Sequence, residues 1–335
     1  MTRLILTRLA QLPLVLLAVY TLTLALAWAI PGNPLENSER RPPPEVEAAM
    51  KSQYSLDSFW SFYWSYLDSA TGVRAARDHF SGRAESERHR LESLHLAPPP
   101  RRVFDLGPSL QYRDQRVSEI IAGSLPVSAQ LGVIAIILAI LIGTPAGVLG
   151  GVRPGTWIDS LSLAIALIGI SLPSFVTGTL LVLVFPVWLG VGRVGGWGSF
   201  SQMILPALTL SLPFAAYIAR LTRMGMVEAM SSDYVRTARA KGLPESSVVL
   251  RHALKNAALP VVSYLGPACA MAMTGSFVVE RVFNVPGLGQ HFVNAVQNKD
   301  LFLIIGVVLV FSTMLVLFNL VVDVLYRWID PRIRM

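Results

Sequence analysis

Charged residues and cysteine are both scarce in this sequence. Only 15% of the 335 residues are Asp, Glu, Lys or Arg, against roughly 25% in an ordinary soluble domain. Because 53% of the residues are hydrophobic as well, the composition predicts a chain whose main solvent is lipid. The single cysteine, Cys269, excludes an internal disulfide framework and a zinc site built from several cysteines.

Catalytic signatures are missing too. The sequence has no H-E-x-x-H zinc motif, no G-x-S-x-G nucleophile elbow and no G-x-x-x-x-G-K-[ST] phosphate loop. The five histidines are scattered between the two sides of the apolar segments, which argues against a metal cluster: His79, His89, His95, His252 and His291. Gly190, Gly192 and Gly195 match the dinucleotide-binding spacing, but no strand precedes them, so they predict a loop. We therefore expect no enzyme activity, cofactor or metal in this chain.

Long uncharged runs are what the sequence does contain. Six of them reach the roughly 20 residues that a helix needs to cross hydrocarbon, which predicts an all-α membrane protein with six spans. Trimmed at polar or turn-like ends, the predicted transmembrane helices cover residues 10–30, 127–150, 160–185, 202–222, 258–279 and 302–326. Prolines at 173, 206 and 213 either kink helices along a path or are satisfied by neighbouring helices.

The first run also has features of a signal peptide, because Arg3 and Arg8 precede it and Ala27-Trp28-Ala29 suits cleavage. Its apolar core is longer than the roughly 7–15 residues of a signal sequence. We therefore expect residues 1–30 to be an uncleaved anchor.

Basic residues are distributed by side of the membrane. With the N-terminus in the cytoplasm, the cytoplasmic segments hold thirteen of them, whereas the two short outer loops hold only Arg193, Arg281 and Lys299. The remaining twelve lie in the long segment 31–120 beside thirteen acidic residues, and a loop of this length crosses the membrane largely regardless of charge. This asymmetry places both termini in the cytoplasm. The net charge of +7 is then a topology signal, so we expect a lipid bilayer and no nucleic acid as partner.

Residues 31–120 are too polar for the bilayer and too long for a turn, so we expect a small outer domain before a transmembrane core over residues 121–335. An aromatic cluster follows the first span, and an interfacial belt or a domain core is favoured over a ligand-stacking site: Trp60, Phe62, Tyr63, Trp64 and Tyr66. The segment from Ser69 to Arg102 is rich in Arg, Glu, Ser and His and closes on Pro98-Pro99-Pro100. It predicts an exposed helix or a mobile insert followed by a stiff spacer.

Two acidic residues lie near the membrane edges. We expect Asp323 to pair with Arg327, and Glu280 with Arg281, or both carboxylates to be hydrated. No acidic residue lies in the middle of a predicted span. This weakens a gradient-driven secondary transporter without removing it as an alternative.

The only sizeable cytoplasmic loop covers residues 225–257 and is strongly punctuated. The pair Ser231-Ser232 can cap a helix over Asp233–Lys241, Gly242 suits a left-handed stop, and Pro244 prevents continuation. A second helix is predicted from Pro244, with an apolar face that continues into the fifth span: Val249, Leu250, Ala253 and Leu254.

The predicted loop helix suits a groove on a partner protein. Small residues at 237, 238 and 240 permit close backbone approach, and basic residues at 236, 239 and 241 add steering. A basic helix lying on anionic lipid is the alternative that the same residues permit.

The loop resembles a known cytoplasmic signature. Residues 233–244 (DYVRTARAKGLP) followed by 251–256 (RHALKN) are similar to the coupling segment of binding-protein-dependent ABC importer permeases. That family's general form is E-A-A-x-x-x-G, nine residues, then I-x-L-P. Gly242 and Leu254 match it, whereas Arg236, His252 and Lys255 depart from it in the manner of the peptide-importer branch.

Further segments resemble the OppB/DppB-like group of oligopeptide permeases: residues 105–110 (DLGPSL), 125–129 (LPVSA), 263–268 (SYLGPA), 285–290 (VPGLGQ), and the tail from Asp323 to Arg334. The resemblance covers almost the whole chain. It fails over about residues 69–103, which we interpret as an insertion in the outer domain.

The resemblance implies half of a type I ABC importer in a bacterial inner membrane. The implied partners are a second, homologous permease forming a heterodimer, two cytoplasmic ATPase subunits that bind ATP and Mg, and a periplasmic or extracellular peptide-binding protein. The implied contact with the ATPases consists of Asp233, Tyr234, Val235, Arg236, Thr237, Ala238, Arg239, Ala240, Lys241, Gly242 and Leu243. The expected cargo is an oligopeptide; dipeptides, nickel complexes, glycosides or antimicrobial peptides in the same architecture, and a receptor or scaffold role for the outer domain, stay open.

Overall fold

The computed structural model describes residues 2–35, 43–81, 103–112, 114–273 and 276–329, with the side chains of 2–4 and 325–329 left out. The helices are α1 (Thr2–Ala29), α2 (Pro44–Gln53), α3 (Phe59–Ala70), α4 (Val73–Phe80), α5 (Val117–Val152), α6 (Trp157–Ser171), α7 (Ser174–Val182), α8 (Phe200–Ser231), α9 (Asp233–Ala240), α10 (Glu245–Ser247), α11 (Leu254–Ala257), α12 (Leu259–Met273), α13 (Phe277–Val282), α14 (Leu288–Gln297) and α15 (Leu301–Ile329). π-Helical stretches follow α7 (Leu183–Trp188) and α10 (Val248–Ala253). In these described ranges no β-strand forms beyond one isolated bridge, which confirms the predicted all-α class.

Five helical segments of the described chain are long and apolar enough to cross a membrane: Ile5–Ala29, Val117–Val152, Phe200–Ser231, Leu259–Val282 and Leu301–Val324. Helix α6 and the segment Ser174–Trp188, which joins α7 to the π-helical stretch after it, pass the same test only as a pair, bent by 100°. The prediction of one continuous helix over 160–185 is therefore wrong. Pro173 lies at the break, and its ring disfavours a helical conformation for the preceding Leu172, which is extended (φ −78°, ψ 124°).

Proline does not end the other spans. Helix α5 begins at Val117, ten residues before the predicted start, and continues through Pro126. Helix α8 likewise contains Pro206 and Pro213 and continues to Ser231, well beyond the predicted end at 222. Long apolar helices tolerate such prolines because neighbouring helices and local adjustments satisfy the freed carbonyls.

The chain forms two compact units, the first from Met1–Leu12, Ser124–Gln290 and Thr313–Met335 and the second from Pro13–Gly123 and His291–Ser312. The predicted domain boundaries at residues 30 and 120 stay a prediction.

In the first unit, Gly143, Gly147 and Gly151 form a four-residue repeat on α5 that faces α8. A Cβ at position 147 would lie 2.5 Å from the Ala219 carbonyl oxygen. Glycine therefore allows the two backbones to approach closely.

The second unit has an aromatic core. Tyr20 of α1, Phe62 and Tyr66 of α3, and Phe302 of α15 are all buried. This confirms a domain-core role for part of the predicted aromatic cluster.

Asp300 anchors the segment before α5 by accepting hydrogen bonds from the backbone N–H groups of residues 110 (3.0 Å) and 111 (3.3 Å). The start of the predicted insertion forms α3's end and α4, while residues 82–102 lie outside the described residues.

The first unit gives partners for both carboxylates near the membrane edges. Glu280 is fully buried, and its carboxylate accepts hydrogen bonds from the Ser128 hydroxyl (2.8 Å) and the Gln290 backbone N–H (3.1 Å). Asp323 accepts from Arg8 Nε and Nη2, each at 3.0 Å. The predicted pairing of Glu280 with Arg281 is therefore wrong, because the fold turns the Glu280 carboxylate toward Ser128 of α5. The pairing of Asp323 with Arg327 stays a prediction, since the Arg327 side chain lies outside the described residues.

Candidate coupling surface

Helix α9 is short and anchored on one side. Its Val235 is fully buried and Ala238 is 4% exposed, and both pack in an apolar cluster with Met226 of α8, Val248 and Ala253. Positions 235 and 238 lie on the same helix face. The spacing of two small apolar residues among polar ones thus determines which side of α9 faces the protein.

The start of α9 differs from the prediction. Ser232 occupies the position before the first helical residue, but its hydroxyl donates to the Ala229 carbonyl instead of accepting from α9. The predicted serine cap is therefore wrong. Because α8 continues to Ser231, Ser232 also lies directly after that helix, and its hydroxyl serves the last turn of α8.

The end of α9 follows the prediction closely. The last helical residue is Ala240, Lys241 is the C-cap residue, and Gly242 takes a left-handed conformation (φ +74°). The Gly242 N–H donates to the Arg239 carbonyl (2.9 Å) and the Leu243 N–H to the Ala238 carbonyl (3.4 Å). This pair of bonds is a Schellman motif, which satisfies carbonyls that a helix end otherwise leaves open.

An ion pair connects α9 to the segment that follows it. Arg239 donates to both carboxylate oxygens of Glu245, Nη2 to Oε1 at 2.6 Å and Nε to Oε2 at 3.2 Å. These hydrogen bonds lower the pKa of Glu245 and raise that of Arg239. The turn after Gly242 is therefore closed by a bidentate ion pair in addition to the backbone hydrogen bonds of the Schellman motif.

The segment after the turn has a different apolar face from the predicted one. Ala253 is fully buried, but Leu250 is 60% exposed and Val248, which the pattern did not include, is fully buried. The cause is the π-helical stretch Val248–Ala253. Its bonds span one residue more than those of an α-helix, so the face rotates relative to a 3.6-residue repeat.

One surface of α9 and its cap points away from the cluster. We define the α9 outer face by its exposed residues: Asp233, Tyr234, Arg236, Thr237, Arg239, Ala240, Lys241, Gly242 and Leu243. Arg236 reaches only Asp233, at 3.4 Å, with 72% of its side chain exposed. The predicted site residues therefore all lie on one helix and its stop, where Val235 and Ala238 hold the helix and the others present its surface.

A second ion pair in this unit was not predicted from the sequence. Asp159 of α6 is buried and accepts from Arg223 of α8, with Nη2 2.7 Å from Oδ2, and from the Gly155 N–H (2.9 Å). Arg223 lies two turns before the end of α8, the helix that leads into α9. In the sequence, the only sign of this pair was Asp159, a charged residue directly before the apolar run that starts at residue 160.

Comparisons with known proteins agree on the type of protein. A family described as "Binding-protein-dependent transport system inner membrane component" matches residues 139–335. The oligopeptide transport system permease protein OppB of Escherichia coli K12 is 39% identical, and that of Haemophilus influenzae 37% identical, over the full length of both chains. The dipeptide transport system permease protein DppB of Bacillus subtilis is 34% identical over 100% of this chain and 99% of its own.

Solved structures add the fold. A chain of the MetNI methionine ABC transporter, in an inward-facing conformation, superposes with a TM-score of 0.51 at 20% identity, covering 63% of this chain and 97% of its own. At this identity the likeness shows a shared fold, that of an ABC importer permease. Together with the family match and the full-length relatives, it confirms the resemblance seen in the loop signature. This chain belongs to the family of inner membrane components of binding-protein-dependent transport systems.

Proposed function

We propose that this chain forms half of the translocation pathway of an ATP-driven oligopeptide importer in a bacterial inner membrane. Both of its termini lie in the cytoplasm. A second, homologous permease completes the pathway as a heterodimer, and an external binding protein delivers the peptide. Two separate cytoplasmic ATPase subunits bind ATP and Mg and supply the energy, so this chain itself catalyses no reaction.

The observation that carries the proposal is the combination of an anchored and an exposed side on α9. Val235 and Ala238 fix the helix to a cluster that includes α8, so a force on the outer face is passed to a transmembrane helix. The small side chains of Thr237 and Ala240 permit close approach of a partner's backbone. We propose the contact with the ATPases on the α9 outer face, with Gly242 ending the helix there.

Positive charge on this face provides the sharpest test. Arg236 is largely exposed and reaches only an exposed Asp233 at 3.4 Å, a contact that contributes little to stability. Arg236→Glu should therefore leave the chain folded but weaken the ATPase subunits' hold on the transporter. We expect fewer ATPase subunits to co-purify from membranes and lower peptide uptake.

The matched control is Arg153→Glu. Arg153 is also an exposed arginine, in the turn between α5 and α6, and does not belong to the α9 outer face. If both reversals, or neither of them, release the ATPase subunits, the assignment of the contact to α9 is wrong. Uptake that survives ATP depletion and collapses with the ion gradient would instead favour a secondary transporter.

The peptide cargo is supported by the relatives, of which two are named for oligopeptides and one for dipeptides. Uptake of a labelled oligopeptide by the reconstituted transporter should be inhibited by other oligopeptides more strongly than by dipeptides. Stronger inhibition by dipeptides, or by nickel complexes, would change the cargo and leave the coupling proposal untouched.

A further inference from the structure

Helix α3 leaves two large aromatic side chains exposed. Trp60 is 64% and Trp64 is 62% exposed. They lie four residues apart, hence on the same face of the helix. The helix carries no charged residue before Asp68. Two bulky indoles facing water on an uncharged helix would be unfavourable, so their surroundings have to be identified.

The opposite face of α3 contacts the transmembrane helix α1. The Tyr20 hydroxyl donates to the Tyr63 carbonyl oxygen (2.7 Å), and the hydroxyls of Thr21 and Tyr63 are 3.0 Å apart. The Tyr20 ring also stacks on Tyr66, with centroids 5.6 Å apart. The middle of α3 is therefore held against residues 20–21 of α1 by hydrogen bonds as well as by packing.

The start of α3 lies beside a later part of α1. Trp28 contacts Phe59 and Phe62, with ring centroids 5.9 and 6.1 Å apart. Along the sequence, about 20 residues from Arg8 lead to Trp28, so hydrocarbon of ordinary thickness ends near Trp28. Tyr20 lies about 12 Å nearer the N-terminus along the axis of α1, at 1.5 Å per residue.

These contacts determine the depth of α3. The rings of Phe62 and Tyr66 also lie 5.2 and 5.8 Å from that of Phe302, the second residue of the last apolar span. Helices that lie in a membrane interface bury their apolar side about 5–10 Å into the boundary between headgroups and acyl chains. Helix α3 therefore lies beside the ends of two apolar spans, at the membrane boundary, although the sequence places it in a loop.

We propose that α3 is an interfacial helix, and that Trp60 and Trp64 lie in the outer leaflet against lipid headgroups and the upper acyl chains. The indole suits this position because its ring is apolar and its N–H can donate to a headgroup. Helix α1 also has an exposed apolar face, with Leu22 and Leu26 each 63% exposed.

Spin labels at single cysteines test this in the complete transporter, reconstituted into phosphatidylcholine vesicles. Cys269 is the only cysteine, so Cys269→Ala gives the background for Trp60→Cys and Trp64→Cys. Ser61→Cys adds a label on an exposed neighbouring position while keeping both tryptophans, in case either replacement prevents folding. Collision with oxygen, which dissolves in lipid, is compared with collision with a water-soluble nickel chelate.

Two reference positions calibrate the measurement. Leu22→Cys reports an exposed site on transmembrane α1, and Ser52→Cys an exposed site on the polar helix α2. We expect labels at 60, 61 and 64 to show an oxygen-to-nickel ratio several-fold above that at 52 and close to that at 22. A ratio like that at 52 would overturn the proposal in favour of water, and low collision with both reagents would overturn it in favour of a protein contact.

Discussion

The left-handed stop at Gly242 allows a graded test of coupling. Its φ is +74°, and a Cβ added there would meet nothing within 4 Å. The cost of a substitution is therefore entirely in the backbone, about 1–2 kcal/mol for Gly242→Ala and up to about 3 kcal/mol for the β-branched Gly242→Val. Gly242→Asn should cost least, because asparagine tolerates this conformation.

These costs act on the end of α9. A penalty of about 2 kcal/mol shifts the balance between the closed and the opened helix end by roughly thirtyfold. The two bonds of the Schellman motif would then open, and Leu243 would leave its place on the α9 outer face. We expect transport coupling to fall progressively from Asn to Ala to Val.

The assay is peptide uptake per ATP hydrolysed, measured with the full transporter in proteoliposomes. Gly190→Val is the matched control, since Gly190 also has a positive φ (+65°) and free space around its Cβ position, but lies in the loop after α7. If Gly242→Val keeps normal uptake per ATP, or if Gly190→Val lowers it equally, the coupling role of the stop is refuted.

Three further predictions concern stability and pH. Glu280→Leu leaves buried donors unpaired at about 1–3 kcal/mol each, so its unfolding temperature in detergent should fall more than that of Glu280→Gln; equal losses would contradict this. Gly147→Ala should destabilise by about 1–3 kcal/mol by forcing α5 from α8, whereas Gly123→Ala, on the same helix with nothing within 4 Å, should not. Arg239 lowers the pKa of Glu245 below its usual 4.5, so the pair stabilises the α9 turn above that pH and is lost as the pH falls through the lowered value. Protection of the amides around residues 239–245 from hydrogen exchange, relative to the intrinsic rate at each pH, should therefore fall on acidification in the native chain but not in Glu245→Gln.

Local chemistry made the end of α9 predictable from the sequence. Gly242 is a residue that adopts positive φ without strain, and Pro244 cannot continue a helix, so the end of α9 followed from two residues. The way in which α9 begins could not be predicted in the same way. Ser232 lies between the end of α8 and the start of α9. Nothing in the local pattern showed that α8 would continue to Ser231, so that the Ser232 hydroxyl bonds a carbonyl of α8.

Long-range contacts could not be predicted in the same way. The Asp159–Arg223 pair joins residues 64 apart, and Glu280 is bound by Ser128, 152 residues away. Hydropathy identified both surrounding segments as apolar but does not show which helices become neighbours. The bend at Pro173 is intermediate, because a proline marks a possible break, and only the packing of the helices decides whether the break forms.

The ion pair of Arg8 and Asp323 has a consequence for synthesis. Its partners lie 315 residues apart, on α1 and α15. At about 5–20 residues per second, the ribosome needs roughly 15 to 60 seconds after making Arg8 before Asp323 exists. During that time Arg8 has no Asp323 to pair with, so a chain that stops before residue 323 leaves this contact between α1 and α15 unformed.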